Sequence, residues 1–166
     1  MTLAIREAGP DDDDAIWAVL RPIVEAGEEL CAPPGGGRAG AFAYWRPAGA
    51  TNYVAEIDGR VVGTSYLRAN QTGHGDHVAN AGFATAAEAR RRGVARALLA
   101  HAMDTARAMG FRAMQFNFVV STNRRAIETW ERAGFAVVGR LPGVYRHPRE
   151  GTVDALVMWR SLEEEE

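Results

Sequence analysis

Apolar positions alternate at period two in some stretches of this chain and recur at helical spacing in others. The switches between the two predict a mixed α/β protein. Leu3 and Ile5 begin a short strand, which Gly9-Pro10 breaks. An aspartate of the Asp11–Asp14 run is expected to cap the helix that follows. Ile16, Trp17, Leu20, Ile23 and Val24 give that helix its apolar face. Cys31 to Ala50 reads as a long irregular loop around Pro33-Pro34-Gly35-Gly36-Gly37. Thr51 to Ile57 and Arg60 to Arg68 form a hairpin joined by the turn pair Asp58-Gly59. Asn70 to Asp76 is a turn, and Val78 to Thr85 a further strand.

A second helix carries Val94, Leu98, Leu99, Ala102, Met103 and Ala106 on one face and stops at Gly110. Met114 to Val120 is β-rich. Asn123 is placed to cap a helix that runs to Ala133 and closes at Gly134. Phe135 to Leu141 and Val153 to Trp159 supply two last strands. No internal repeat is visible.

A chain of 166 residues, 47% hydrophobic and 24% charged, fits one domain over residues 1–162 with an acidic tail at 163–166. The net charge of −2 argues against a nucleic-acid partner despite the arginine cluster. Cys31 is the sole cysteine, so neither an internal disulfide nor a cysteine metal site is expected, and no metal is. One cysteine suits a reducing cytoplasm, the expected location. No apolar run is long enough to suggest a membrane span.

Candidate chemistry concentrates at Arg90-Arg91-Arg92-Gly93-Val94-Ala95, where a strand gives way to a helix. A helix start offers unpaired N–H groups and the positive end of the dipole, which suits phosphate. Gly93 and Ala95 keep the turn bare. From the pattern alone, an ordinary solvated first turn explains these residues equally well.

The block Thr85 to Ala95 resembles the acyl-CoA motif of the GCN5-related N-acetyltransferases (GNAT), with Arg90, Gly93 and Ala95 at its signature positions. Asn123 to Phe135 resembles that family's second motif, and the hairpin through Asp58-Gly59 also matches. The likeness covers nearly the whole chain. Segments around Asn70, Asn80 and Asn117 are also similar to fungal acetyltransferases acting on azetidine-2-carboxylate and related imino acids. The resemblance implies a GNAT fold: one twisted, mostly antiparallel sheet of about 6–7 strands flanked by helices and splayed where acetyl-CoA enters. It implies transfer of an acetyl group from acetyl-CoA directly to the amine of a small molecule or amino acid. A non-catalytic acyl-CoA sensing domain and a protein Nα-acetyltransferase remain alternatives on the same scaffold. Homodimers are common in the family, but no residue here demonstrates one.

Carried over residue by residue, the likeness puts the cofactor against Phe83, Ala84, Thr85, Arg90, Arg91, Arg92, Gly93, Val94, Ala95, Asn123 and Trp130. Arg91 stands where many members have glycine. Asn80, Tyr66 and Trp45 are expected at the acceptor, with Asn123, Asn117 and Tyr145 as catalytic candidates. A buried amide without a partner is costly, so Asn80 and Asn117 should meet either backbone or ligand. The family's usual acid is a tyrosine where this chain has Trp130, whose indole donates a hydrogen bond but does not titrate. Tyr66, Tyr145, His77 and His147 are candidate replacements, and transfer without a protein acid is the favoured alternative. Cys31 lacks a basic neighbour in the sequence that would make it a nucleophile.

Overall fold

The computed structural model describes residues 2–164. Seven strands form one open sheet in the order β1-β2-β3-β4-β5-β7-β6. These are β1 (Leu3–Glu7), β2 (Thr51–Ile57), β3 (Arg60–Ala69), β4 (Val78–Thr85), β5 (Ala113–Val120), β6 (Ala136–His147) and β7 (Gly151–Ser161). Four helices flank it: α1 (Asp13–Ala26), α2 (Gly37–Trp45), α3 (Val94–Ala108) and α4 (Arg124–Arg132). Every strand pair is antiparallel except β4 with β5.

That parallel pair is the architectural point of interest. It holds only at Val78↔Ala113 and Ala79↔Met114. Beyond those two positions the strands part, as the splayed sheet was expected to do. The far edge of β4 stays fully paired with β3, from Ala69↔Ala79 to Gly63↔Thr85. The residues of β4 past Ala79 therefore present one unpaired backbone edge toward β5.

Alternating side chains send the core to two sides. On one face Leu67, Ala79, Ala81, Met114 and Phe116 pack with Leu99, Ala102, Met103 of α3 and Trp130 of α4. On the other, Ile16, Leu20, Ile23 and Val24 of α1 and Ala41 and Trp45 of α2 cover Val54 and Ala84. Burial of these side chains, each contributing roughly 1.5–3 kcal/mol, is what fixes the helices to the sheet.

Three sequence expectations need correction. The stretch from Cys31 to Ala50 is not irregular throughout, because α2 occupies its second half. Three glycines and two prolines hid it, yet Ala41 and Trp45 lie four residues apart and reach the same core. Tertiary burial overrides weak propensity there. The aspartate run does not cap α1 through a side chain. Asp12 instead accepts the Gly9 N–H at 2.7 Å and receives the Arg6 guanidinium at 2.8 Å through both oxygens. Finally, β6 does not stop at Leu141. It continues through Pro142-Gly143 as a bulge, where the register jumps from Leu141↔Ala155 to Tyr145↔Val153. Asp154 replaces the lost ladder contacts by accepting the Gly143 N–H at 2.8 Å and the Arg140 Nε at 2.6 Å.

Of the expected acidic tail, Glu163 is pinned by Arg112 at 2.6 Å, while residues 165–166 lie outside the described residues. Among the described residues, no helix is long and apolar enough to cross a membrane.

Candidate active site

The opening between β4 and β5 is one end of a continuous cleft of about 1450 Å³. Its walls bring together Phe83, Ala84, Thr85, Arg90, Arg91, Gly93, Val94, Ala95, Asn117, Asn123 and Trp130. Tyr66, Asn80 and Trp45 join them at the other end. Residues far apart in sequence thus meet at the splay.

The first end is built by the turn entering α3. A 3-10 turn at Ala87–Ala89 carries the chain out of β4. Arg91 (φ +63°) and Gly93 (φ +79°) then both adopt left-handed backbone. Such alternation curls successive N–H groups around a concavity suited to an anion. The first helical bond runs from Ala97 N to Gly93 O, so the N–H groups of Val94, Ala95 and Arg96 precede it and face outward from the helix start. The positive φ explains why glycine serves well at the Arg91 position: a side chain there costs on the order of 1 kcal/mol. Arg90 reaches Glu29 at 3.9 Å across the mouth of the cleft.

Gly63 sets how closely this turn lies on the sheet. A Cβ there would sit 2.8 Å from Val94 Cγ1 and 3.1 Å from Leu98 Cδ1. Only a bare backbone on β3 lets the start of α3 come down this far.

Asn123 caps α4 as its sequence position predicts, with Oδ1 accepting the Ala126 N–H at 3.3 Å. The residue lines the cleft, and among the described residues its carboxamide nitrogen has no protein partner. Trp130 is packed at a tilt among aromatic rings, 5.1 Å from Phe83 and 5.4 Å from Phe116, with Phe135 stacked on Phe116 at 4.5 Å. This cluster closes the cleft floor against water.

At the other end, the amides are largely committed. Asn80, 5% exposed, donates to the Gln115 carbonyl at 3.0 Å. Asn117 donates to Asn70 Oδ1 at 2.6 Å and accepts from Gln115 Nε2 at 2.9 Å. Tyr66 lies flat over Gly82, its cross-strand partner, where any Cβ would be 2.3 Å from the ring. Burial raises the Tyr66 phenol above its ordinary pKa, with Arg68 acting in the opposite direction. Trp45 is 1% exposed and stands behind Tyr66, edge-on at 5.1 Å, its indole donating to Thr64 Oγ1 at 3.2 Å.

Tyr145 is placed elsewhere. Its hydroxyl donates to the Gly27 carbonyl at 2.6 Å, with the Leu30 carbonyl at 3.2 Å, and the ring is not part of the cleft wall. That phenol ties the end of α1 to β6, and burial raises its pKa further. His77 is exposed and outside the cleft. His147 lines it, with Nδ1 accepting the Arg149 and Glu150 N–H groups at 3.2 Å each. In the neutral ring the proton then resides on Nε2, which makes His147 a donor.

Two lining residues stand outside the expected site. Tyr44 of α2, which by sequence could pack over a substrate or pin the loop to the core, lines the cleft, and burial drives its phenol well above the ordinary range. Arg68, at the end of the second hairpin strand, carried no role in the sequence reading and also lines the cleft.

The Acetyltransferase (GNAT) family model matches residues 20–135 of this chain. The chain belongs to that family. A GNAT relative of solved structure, described as a GCN5-related N-acetyltransferase from Kribbella flavida, is 42% identical with a TM-score of 0.89, covering 96% of this chain and 97% of that one. N-acetyltransferase aca1 of Schizosaccharomyces pombe (strain 972) is 33% identical over 107 residues, 63% of this chain. The match spans 51% of that protein, so the chain corresponds to about half of its length. The structure of yncA from Salmonella typhimurium, solved with its cofactor acetyl-CoA, shares the GNAT fold at a TM-score of 0.83 and 22% identity, covering 100% of this chain and 97% of that one.

Proposed function

We propose that this GNAT protein transfers an acetyl group from acetyl-CoA directly to the amine of a small molecule or amino acid. One observation carries the proposal. The sheet separates after two parallel rungs, directly beside a helix start whose curled backbone suits a pyrophosphate. The yncA structure, with acetyl-CoA bound to the same fold, supports the choice of ligand.

On this reading, the N–H groups of Arg91, Gly93, Val94 and Ala95 hold the pyrophosphate, that of Arg92 being donated to the Ala89 carbonyl, and Arg90, Arg91 and Arg92 add charge. The open edge of β4 at Phe83, Ala84 and Thr85 pairs with the amides of the pantetheine arm. The acceptor amine, in its neutral form, attacks the thioester carbonyl carbon. The C–N bond forms, the C–S bond breaks and the electron pair leaves on sulfur. The amine proton departs through water, and the thiolate is reprotonated to the free thiol. Asn123, with its carboxamide nitrogen uncommitted, donates toward the sulfur. Trp130 shapes and dries the site without exchanging a proton. Holding both reactants side by side supplies most of the acceleration.

Leu30, Tyr44 and Pro47 wall the acceptor end. Calorimetric titration with acetyl-CoA tests the first half of the proposal, with micromolar affinity expected. Thiol release over a panel of amines and amino acids tests the second. No binding would overturn both halves; binding without thiol release from any acceptor would make the protein an acyl-CoA sensor.

A further inference from the structure

Arg68 sits on β3 directly across from Asn80 on β4, at the acceptor end of the cleft. It is half-buried, and its Nε lies 3.5 Å from Asn80 Oδ1. Among the other arginines of the cleft wall, Arg91, Arg96, Arg124, Arg125 and Arg132 are exposed to solvent, and two have carboxylate partners: Arg90 with Glu29 and Arg149 with Glu28. Among the described residues Arg68 has none, and both terminal nitrogens of its guanidinium are uncommitted. A partly desolvated guanidinium without a counter-ion is costly, and its planar fork matches a carboxylate in a two-point contact.

The neighbouring polar groups do not offer that contact. The donor side of Asn80 is spent on the Gln115 carbonyl, and Asn117 is tied to Asn70 and Gln115. Asn80 Oδ1 faces the guanidinium, so Asn80 positions Arg68. Tyr66, two positions earlier on β3, lines the same cleft.

We infer that the acceptor is anionic, an amine that carries a carboxylate, and that Arg68 is the residue that selects it. This deepens the acetyltransferase reading and rests on it. An amino acid fits the chemistry: the carboxylate docks on Arg68 while the amine reaches toward the splay, where the thioester would lie. Acceptors lacking the negative charge would leave the half-buried Arg68 without a counter-ion, which penalises them.

The experiment compares each of the twenty L-amino acids with its own carboxamide, by thiol release at saturating acetyl-CoA. The carboxamide amine is the less basic of the two and more of it is neutral, so intrinsic reactivity works against the expected order. For the best acceptor, the acid should exceed its carboxamide at least tenfold in kcat/KM. R68Q should bring that ratio to about one, and R68K should retain part of it. Acetyl-CoA affinity, measured by calorimetry on each variant, shows whether the cofactor end is intact. A wild-type ratio of one or less, or an unchanged ratio in R68Q, would overturn the inference. Should R68Q fail to fold, the wild-type ratio decides. If no acceptor is acetylated, the function has failed separately. Arg68 is then judged by titrating the CoA-loaded protein with the same acid and carboxamide pairs, and equal affinities would overturn its role.

Discussion

The Asn80 side chain donates to the Gln115 carbonyl at 3.0 Å, one position beyond the last paired rung, Ala79↔Met114. A side-chain amide thus takes over where the backbone ladder between β4 and β5 ends. The strands part in a fixed place because the first orphaned carbonyl already has its partner.

Replacing Asn80 should therefore harm folding as well as acceptor use. Asn80→Ala strands the Gln115 carbonyl and is expected to cost about 1–3 kcal/mol in urea denaturation. Asn80→Asp also sets an acceptor against the Gln115 carbonyl, and the ion pair it offers Arg68 offsets part of that loss. A stability equal to wild type in both variants would contradict the bridging role.

Gly63 is a second sensitive point, far from any reacting atom. Gly63→Ala drives a methyl into Val94 and Leu98, and overpacking of this kind costs about 1–3 kcal/mol. Because the displaced element is the start of α3, acetyl-CoA affinity should fall in parallel. Calorimetry at a temperature well below the unfolding midpoint would separate the two effects.

Tyr145→Phe distinguishes a tie from an acid. Loss of the hydroxyl bond to Gly27 should lower stability by about 1 kcal/mol. The pH–rate profile of acetyl transfer should keep its shape. Disappearance of a high-pH limb in the variant would restore Tyr145 as a proton donor.

Acid stability should depend on Asp12. The Arg6 side chain and the Gly9 N–H hold its folded carboxyl down to about 2, against 3.8 for an unperturbed aspartate. The unfolded chain therefore takes up the proton first, and the contribution is complete above the unfolded value. It is lost as pH falls from about 4 through about 2. Denaturation midpoints followed from pH 6 to pH 2 should drop over this window in the wild type, and less steeply in Asp12→Asn.

Local signals made much of the scaffold readable. Asp58-Gly59 turned the hairpin with both residues at positive φ, and Asn123 capped α4, because each depends on its immediate neighbours. Helix α2 was illegible for the opposite reason: its stability comes from Trp45 and Ala41 meeting a core assembled elsewhere. The strand through Pro142-Gly143 needed Asp154 from the partner strand. At the candidate site, the arginine turn was visible as a motif. The commitments of Asn80, Asn117 and Tyr145 to protein partners were not, since Gln115 for Asn80, Asn70 for Asn117 and Gly27 for Tyr145 lie 35, 47 and 118 positions away along the chain.

The ring cluster around Trp130 gives the protein an optical property. Trp45 is sealed behind Tyr66 and Trp159 stands 39% exposed on β7, whereas Trp130 forms part of the cleft wall. A molecule seated between β4 and β5 alters the surroundings of one indole more than those of the others. Intrinsic emission thereby becomes a label-free gauge of occupancy, with Trp130→Phe as the blank that subtracts Trp17, Trp159 and the cleft's other indole, Trp45.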